Sequence, residues 1–135
     1  MLRLEIVTPE KRVVDTDVDF VTVSTASGEA GILPNHAPLI SALKPGILTY
    51  SIKGQSSRLA VAGGFIEVKN DKVAVLADTA ETAEEIDVEA ARAARDSAEK
   101  ALAEVSSGSL EDTEAQREQL EAARVRWQLA TQGPK

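Results

Sequence analysis

The chain has 135 residues, four aromatics, one histidine, no cysteine, and 15 basic against 22 acidic side chains, a net charge of −7. That length suits one ordinary domain with a small appendage, and a hydrophobic fraction of 43% can bury a core and excludes a disordered acidic tail. The acidic balance argues against wrapping a nucleic-acid backbone, no apolar run reaches the roughly 18 residues that cross a bilayer, and the missing Cys removes disulfides, zinc–thiolate sites, iron–sulfur clusters and thiol nucleophiles together.

Met1-Leu2-Arg3-Leu4-Glu5-Ile6 has neither the long apolar region of a secretory signal nor the basic, acid-poor composition of a transit peptide. The same run alternates at period two, with Leu2, Leu4 and Ile6 opposing Arg3, Glu5 and Val7. Val18, Phe20 and Thr22 alternate with Asp19, Val21 and Val23 as a further strand. Phe65–Lys69, then Asn70-Asp71, then Lys72–Leu76 reads as a hairpin, because Asn and Asp tolerate the positive φ of a two-residue turn. Short strands between turn signals predict an antiparallel sandwich or barrel over residues 1–85.

Composition changes near residue 86. Four of five prolines and six of eight glycines lie in the first 64 residues, whereas residues 86–135 hold eleven alanines and many Glu and Arg. Those are strong helix formers. Asp87 is the expected N-cap, with Glu89 in the first turn where the helix dipole favours an acid. Val88, Ala91, Ala94, Ala98, Leu102 and Val105 form one narrow apolar stripe, and Ser106-Ser107-Gly108 ends the helix. Ser109 with Asp112 resembles a capping box opening a second helix. Its stripe is Leu120, Ala123, Trp127 and Ala130, and Gly133-Pro134 stops it. The two helices predict an antiparallel hairpin. An alanine seam grips weakly, since a methyl contributes far less than the roughly 1.5–3 kcal/mol of a fully buried Leu or Val. The pattern suits a mobile element as well as it suits a static one.

Catalytic constellations are missing. His36 is the only histidine, and neither a Gly-x-Ser-x-Gly elbow nor a phosphate-binding loop is present. Asp15, Asp17 and Asp19 stand two apart but lack the turn glycine and distal Glu of a calcium loop, so they read as a solvated strand face. No catalytic or metal site is expected. The distinctive segment is Gly28-Glu29-Ala30-Gly31-Ile32-Leu33-Pro34-Asn35-His36-Ala37-Pro38-Leu39-Ile40. Its two glycines, two prolines and Asn-His pair describe a rigid turn in which the histidine bonds nearby backbone.

That segment, followed by Leu43-Lys44-Pro45-Gly46, resembles the epsilon subunit of bacterial and chloroplast F-type ATP synthases, the counterpart of the mitochondrial delta subunit. Ala62-Gly63-Gly64-Phe65-Ile66-Glu67-Val68, Val75–Glu81 and Ile86-Asp87 match the family in the same order. The resemblance implies a ten-stranded β-sandwich over residues 1–85 and a helical hairpin over residues 86–135. It implies a non-catalytic central-stalk subunit whose partners are gamma, the c-ring and the alpha/beta catalytic head. Such a subunit couples proton- or sodium-driven rotation to ATP synthesis, and its extended hairpin blocks hydrolysis. The implied place is the cytoplasmic side of a bacterial plasma membrane, or the stromal or cytoplasmic side of a thylakoid, peripheral through the complex.

By position, Glu29 and His36 match the family loop facing the c-ring and the foot of gamma. Gly31, Ile32, Leu33 and Pro34 shape that loop, and Leu39 and Ile40 fall where the sandwich core begins. Arg124 and Arg126 match the basic residues of the second helix that meet the beta subunit, although cations complementing the helix dipole explain them equally well. Some relatives bind ATP at the hairpin through an Ile/Leu-Asp-x-x-Arg-Ala motif. Asp87 and Ala91 fit it, with Arg124 and Arg126 near the other ligand positions, but Ala90 stands where the arginine belongs. Arg92 lies about 200° further round the helix, and a methyl cannot supply bidentate phosphate contacts. Weak or absent ATP binding is expected, and no other cofactor. Without the resemblance, the alternative is a β-sandwich binding module with a helical dimerisation tail. Sugar sites need exposed aromatic platforms, and four aromatics in all disfavour that alternative.

Overall fold

A computed structural model describes residues 1–104 and 110–132. Val105, Ser106-Ser107-Gly108, Ser109, Gly133-Pro134 and Lys135, to which the sequence assigns helix ends, caps and a basic tip, lie outside the described residues. The strands are β1 (Leu2–Val7), β2 (Arg12–Val18), β3 (Phe20–Thr25), β4 (Gly28–Ile32), β5 (Leu39–Ala42), β6 (Gly46–Ile52), β7 (Gln55–Lys69) and β8 (Lys72–Thr82). A 3₁₀ turn, Ala83–Glu85, leads into α1 (Val88–Glu104) and α2 (Leu110–Gln132).

The expected sandwich is present with eight strands, joined in the order β2-β1-β8-β7-β6-β3-β4, with β5 on β7. The difference from about ten has a physical origin. Strand β7 is 15 residues long and β8 is 11, so each runs through both layers. The first part of β7 pairs β6 from Gln55 to Val61, and its last part pairs β5 from Phe65 to Val68. Between them Gly63 (φ 73) and Gly64 (φ 94) bend the strand. Counting β7 and β8 once in each layer restores ten segments. The sheet also departs from the antiparallel expectation at one place, where β1 runs parallel to β8.

The alternation of β1 is borne out: Leu2, Leu4 and Ile6 are fully buried. They pack between the layers with Val18, Val21, Val23, Ile32, Leu48, Leu59, Ile66 and Val75. The stretch from Val18 to Val23 is not one strand. It breaks at Asp19, where the chain crosses between layers, so Val18, Val21 and Val23 are the buried residues. The Asp19 amide donates to the Ser51 carbonyl at 2.7 Å and its carboxylate accepts the Lys53 amide at 2.7 Å. Asp15 and Asp17 do lie on an exposed strand face, paired with Arg3 at 2.7 and 3.4 Å. The Asn70-Asp71 turn forms as expected, with both residues left-handed. Ile40 is a correction: it is 73% exposed, because Leu39 takes the inward position of β5.

Asp87 caps α1, accepting the Ala90 amide on its carboxylate at 3.0 Å and the Ala91 amide on its carbonyl at 2.9 Å. Ala91, Ala94, Ala98 and Leu102 keep their inward stripe, but Val88, at the first helical position beyond the cap, is exposed. On α2, Leu120 and Ala123 are buried as expected. A second stripe, Val125 and Leu129, was not anticipated. It packs on Ile47, Ala60 and Ile86, so the hairpin lies folded against the sandwich.

Candidate functional site

Three features outside the core can do work: a rigid loop, an apolar sheet face, and the seat of the hairpin. The loop begins at the tight β3–β4 turn, where the Thr25 hydroxyl donates to the Gly28 carbonyl at 2.7 Å. Glu29 and Gly31 are exposed on β4, while Ile32 is fully buried. The side chain of Ile32 therefore anchors the loop in the core rather than facing outward. Leu33-Pro34-Asn35-His36 is a type II turn: the His36 amide donates to the Leu33 carbonyl at 3.2 Å, and Asn35 takes φ 68. Proline at the second position presets the turn and asparagine at the third accepts positive φ. The His36 Nδ1 lies 2.6 Å from the Ala37 carbonyl, a contact that needs the proton on Nδ1. His36 thus bonds local backbone, as its setting suggests. Leu33 is 61% exposed at the tip, with Pro34 and Asn35 exposed beside it. The Asn35 amide donates to the Asp71 carboxylate at 2.6 Å.

The apolar face was missed by the sequence reading. Ala42 lies opposite Phe65, Phe65 opposite Leu76, and Leu76 opposite Val7. Directly paired residues share a face of the sheet, and Ile40 joins it two positions from Ala42. Ile40, Phe65 and Leu76 are 73%, 59% and 58% exposed. The signal was available. Leu39-Ile40, Phe65-Ile66 and Val75-Leu76 each place apolar side chains on both faces of a strand, the pattern of a sheet covered on both sides. A contiguous exposed apolar patch of this kind marks an interaction surface.

The hairpin seat joins few groups. Arg126 binds Glu81 of β8 through two hydrogen bonds, Nε–Oε1 at 2.7 Å and Nη2–Oε2 at 3.3 Å. Arg58 of β7 donates to the Gln132 side chain at 2.8 Å. Clefts of about 340 and 510 Å³ lie between α2 and Lys44-Pro45 and between α2 and β8. Within the hairpin, Arg95 lies over Trp127, 4.4 Å from the ring centroid, a cation–π contact.

The residues matched to the nucleotide motif are already engaged or apart. The Asp87 carboxylate caps α1, Ala91 is fully buried under α2, and Arg126 is held by Glu81. Arg124 is exposed, and Arg92 pairs with Glu89 at 2.9 Å. Among the described residues, no group of three or more acids or histidines could hold a metal ion, and no helix is long and apolar enough to cross a membrane.

Comparison with known proteins points one way. The family model for the β-sandwich domain of the ATP synthase delta/epsilon chain matches residues 1–83. An ATP synthase epsilon chain of Desulforamulus reducens is 56% identical over 100 residues, covering 74% of this chain and 76% of that one. The epsilon chain of Carboxydothermus hydrogenoformans is 52% identical over 102 residues, covering 76% of each. A chain in the mitochondrial ATP synthase of Euglena gracilis, in a structure that includes the c-ring, superposes with a TM-score of 0.77. It is 25% identical, and the match covers 96% of this chain and 81% of that one. A chain from the central stalk and c-ring of the Tetrahymena thermophila mitochondrial enzyme shares the fold, with a TM-score of 0.64 at 16% identity over 96% of each.

Proposed function

This chain belongs to the ATP synthase delta/epsilon family, and from that premise we propose how it works in the complex. It is a non-catalytic subunit of the central stalk. Its sandwich seats against gamma through the Ile40–Phe65–Leu76 face, and the loop from Glu29 to His36 reaches the c-ring and the foot of gamma. Ion-driven rotation passes through this rigid body to the catalytic head, and the hairpin, once released, restrains ATP hydrolysis at the alpha/beta subunits. The subunit sits at the membrane through the complex, on the cytoplasmic side in a bacterium.

The observation that carries this reading is the apolar face on a sheet already packed on its other side. Three large side chains more than half exposed gain by being covered, at roughly 25 cal/mol for each Å² of apolar surface removed from water. The proline-fixed turn beside the buried Ile32 supplies a stiff contact of the sort torque requires. Of the two matched arginines, Arg124, exposed on α2, is open to meet an acidic surface while the hairpin is folded, and Arg126 joins it only after leaving Glu81. Nucleotide binding at the hairpin is weak, because Ala90 offers no guanidinium and Asp87 serves as a cap.

Copurification tests the seat. Gamma is expected to copurify with the wild-type chain and to be lost with Phe65→Asp; retention of gamma by Phe65→Asp sinks the assignment of this face. Deleting residues 87–135 is expected to raise ATPase activity while leaving assembly intact. Unchanged ATPase activity removes the inhibitory role, and micromolar ATP affinity by calorimetry overturns the nucleotide reading.

A further inference from the structure

We propose that Asp71, in the turn between β7 and β8, is a positioning residue for the Leu33–His36 turn, and that these two turns form one composite binding end of the sandwich. This rests on the reading of that loop as a partner-binding element and adds a second segment to it. Asp71 is the second residue of a two-residue turn in which Asn70 has φ 51 and Asp71 φ 60. Such turns favour glycine at that position, because side-chain-bearing residues disfavour the left-handed region. The turn itself does not need a carboxylate there, and Asp71 points one at the loop.

Its Oδ1 accepts the Asn35 amide at 2.6 Å across 36 residues of chain. The N–H of the third residue in a type II turn takes no part in the turn's own hydrogen bond, which runs from His36 to Leu33. An ionised acceptor makes the bond short and directional. Among the described residues, it is the only hydrogen bond from residues 33–38 to another part of the chain. The carbonyl of Asp71 also accepts the Arg3 amide at 2.9 Å. One residue therefore ties the start of β1, the β7–β8 turn and the exposed Leu33-Pro34 tip into a single end. Ile32 fixes where the loop leaves the core, and Asp71 fixes the direction in which its tip points.

Asp71→Gly separates the roles, since glycine suits the turn while the acceptor is removed. In the full chain, hydrogen exchange at the Asn35 amide is expected to speed up at least tenfold, with β7–β8 amide protection and the melting temperature as in wild type. Binding to ATP synthase depleted of this subunit is expected to weaken about fivefold. Asp71→Asn, which keeps a side-chain carbonyl, restores both. Asn70→Gly, which alters the same turn and keeps the carboxylate, leaves Asn35 exchange as in wild type. Unchanged Asn35 exchange in Asp71→Gly overturns the proposal, and so does faster exchange with unchanged binding. A wild-type chain that does not bind the depleted complex overturns the functional reading instead.

Discussion

Arg126 on α2 and Glu81 on β8 form a two-pronged ion pair, 2.7 and 3.3 Å, that ties the hairpin to the sandwich across 45 residues of chain. Each side chain keeps about a third of its surface in water, so solvent screening holds the pair to about 0.5–1 kcal/mol. Glu81→Gln is expected to shift the folded hairpin population two- to fivefold, and added salt to weaken wild type but not the variant. Trp127, packed under Arg95 and the sole tryptophan, reports the change by fluorescence. Emission that ignores both salt and the substitution shows that the pair contributes nothing.

Apolar packing outweighs that pair. Leu129 is fully buried between the hairpin and the sandwich, and truncating such a residue to Ala costs about 2–4 kcal/mol. Leu129→Ala is expected to free the hairpin, seen as faster amide exchange along α2, while the sandwich keeps its own protection. Loss of protection throughout β1 and β7 as well contradicts the idea that the hairpin opens alone.

Glycine at position 64 is required for two reasons at once. Its φ is +94, and a Cβ there would fall on the Leu76 carbonyl oxygen. Gly64→Ala is expected to cost more than about 3 kcal/mol, strain and backbone overlap adding. Gly28 also has positive φ (117) but open space around it, so Gly28→Ala should cost only about 1–2 kcal/mol. Equal losses in chemical denaturation refute the distinction.

Acid stability has identifiable sources. The Thr82 amide, donating at 2.9 Å, and then the Lys11 ammonium at 3.1 Å hold the Glu85 carboxyl below its ordinary value. The hydrogen bond from Arg3, aided by Arg12, does the same for Asp15. A carboxyl depressed in the folded state stabilises above its unfolded pKa, and that contribution is lost as pH falls through the folded value. The loss therefore falls below about pH 4. Glu85→Gln is expected to be less stable than wild type at neutral pH, the difference closing as the solution is acidified. A difference that stays constant down to about pH 3 denies the linkage.

Much of the fold is legible because its signals are local. The period of Leu2, Leu4 and Ile6, the left-handed Asn70-Asp71 turn and the Asp87 cap each depend on neighbours a few residues away. The Pro34-Asn35 turn is readable for the same reason. Ile40 and Val125 are not: Ile40 stands in an apolar stretch whose two faces periodicity cannot rank, and Val125 stands between Arg124 and Arg126, off the Leu120–Ala123–Trp127 stripe. The candidate loop was visible in its residues, whereas Asp71 was visible only as a turn former.

The sequence alone determined a sandwich followed by an Ala-rich hairpin, its turn types, its helix start and the family it resembles, since backbone preferences and short periods act within a turn or a strand. Tertiary structure alone decided that β7 and β8 pass through both layers, that Ile40, Phe65 and Leu76 share one outer face, and that Val125, Leu129 and Arg126 seat the hairpin. These outcomes depend on contacts between residues tens of positions apart, such as Glu81 with Arg126 and Asn35 with Asp71. Only the packed chain brings such pairs within reach of each other.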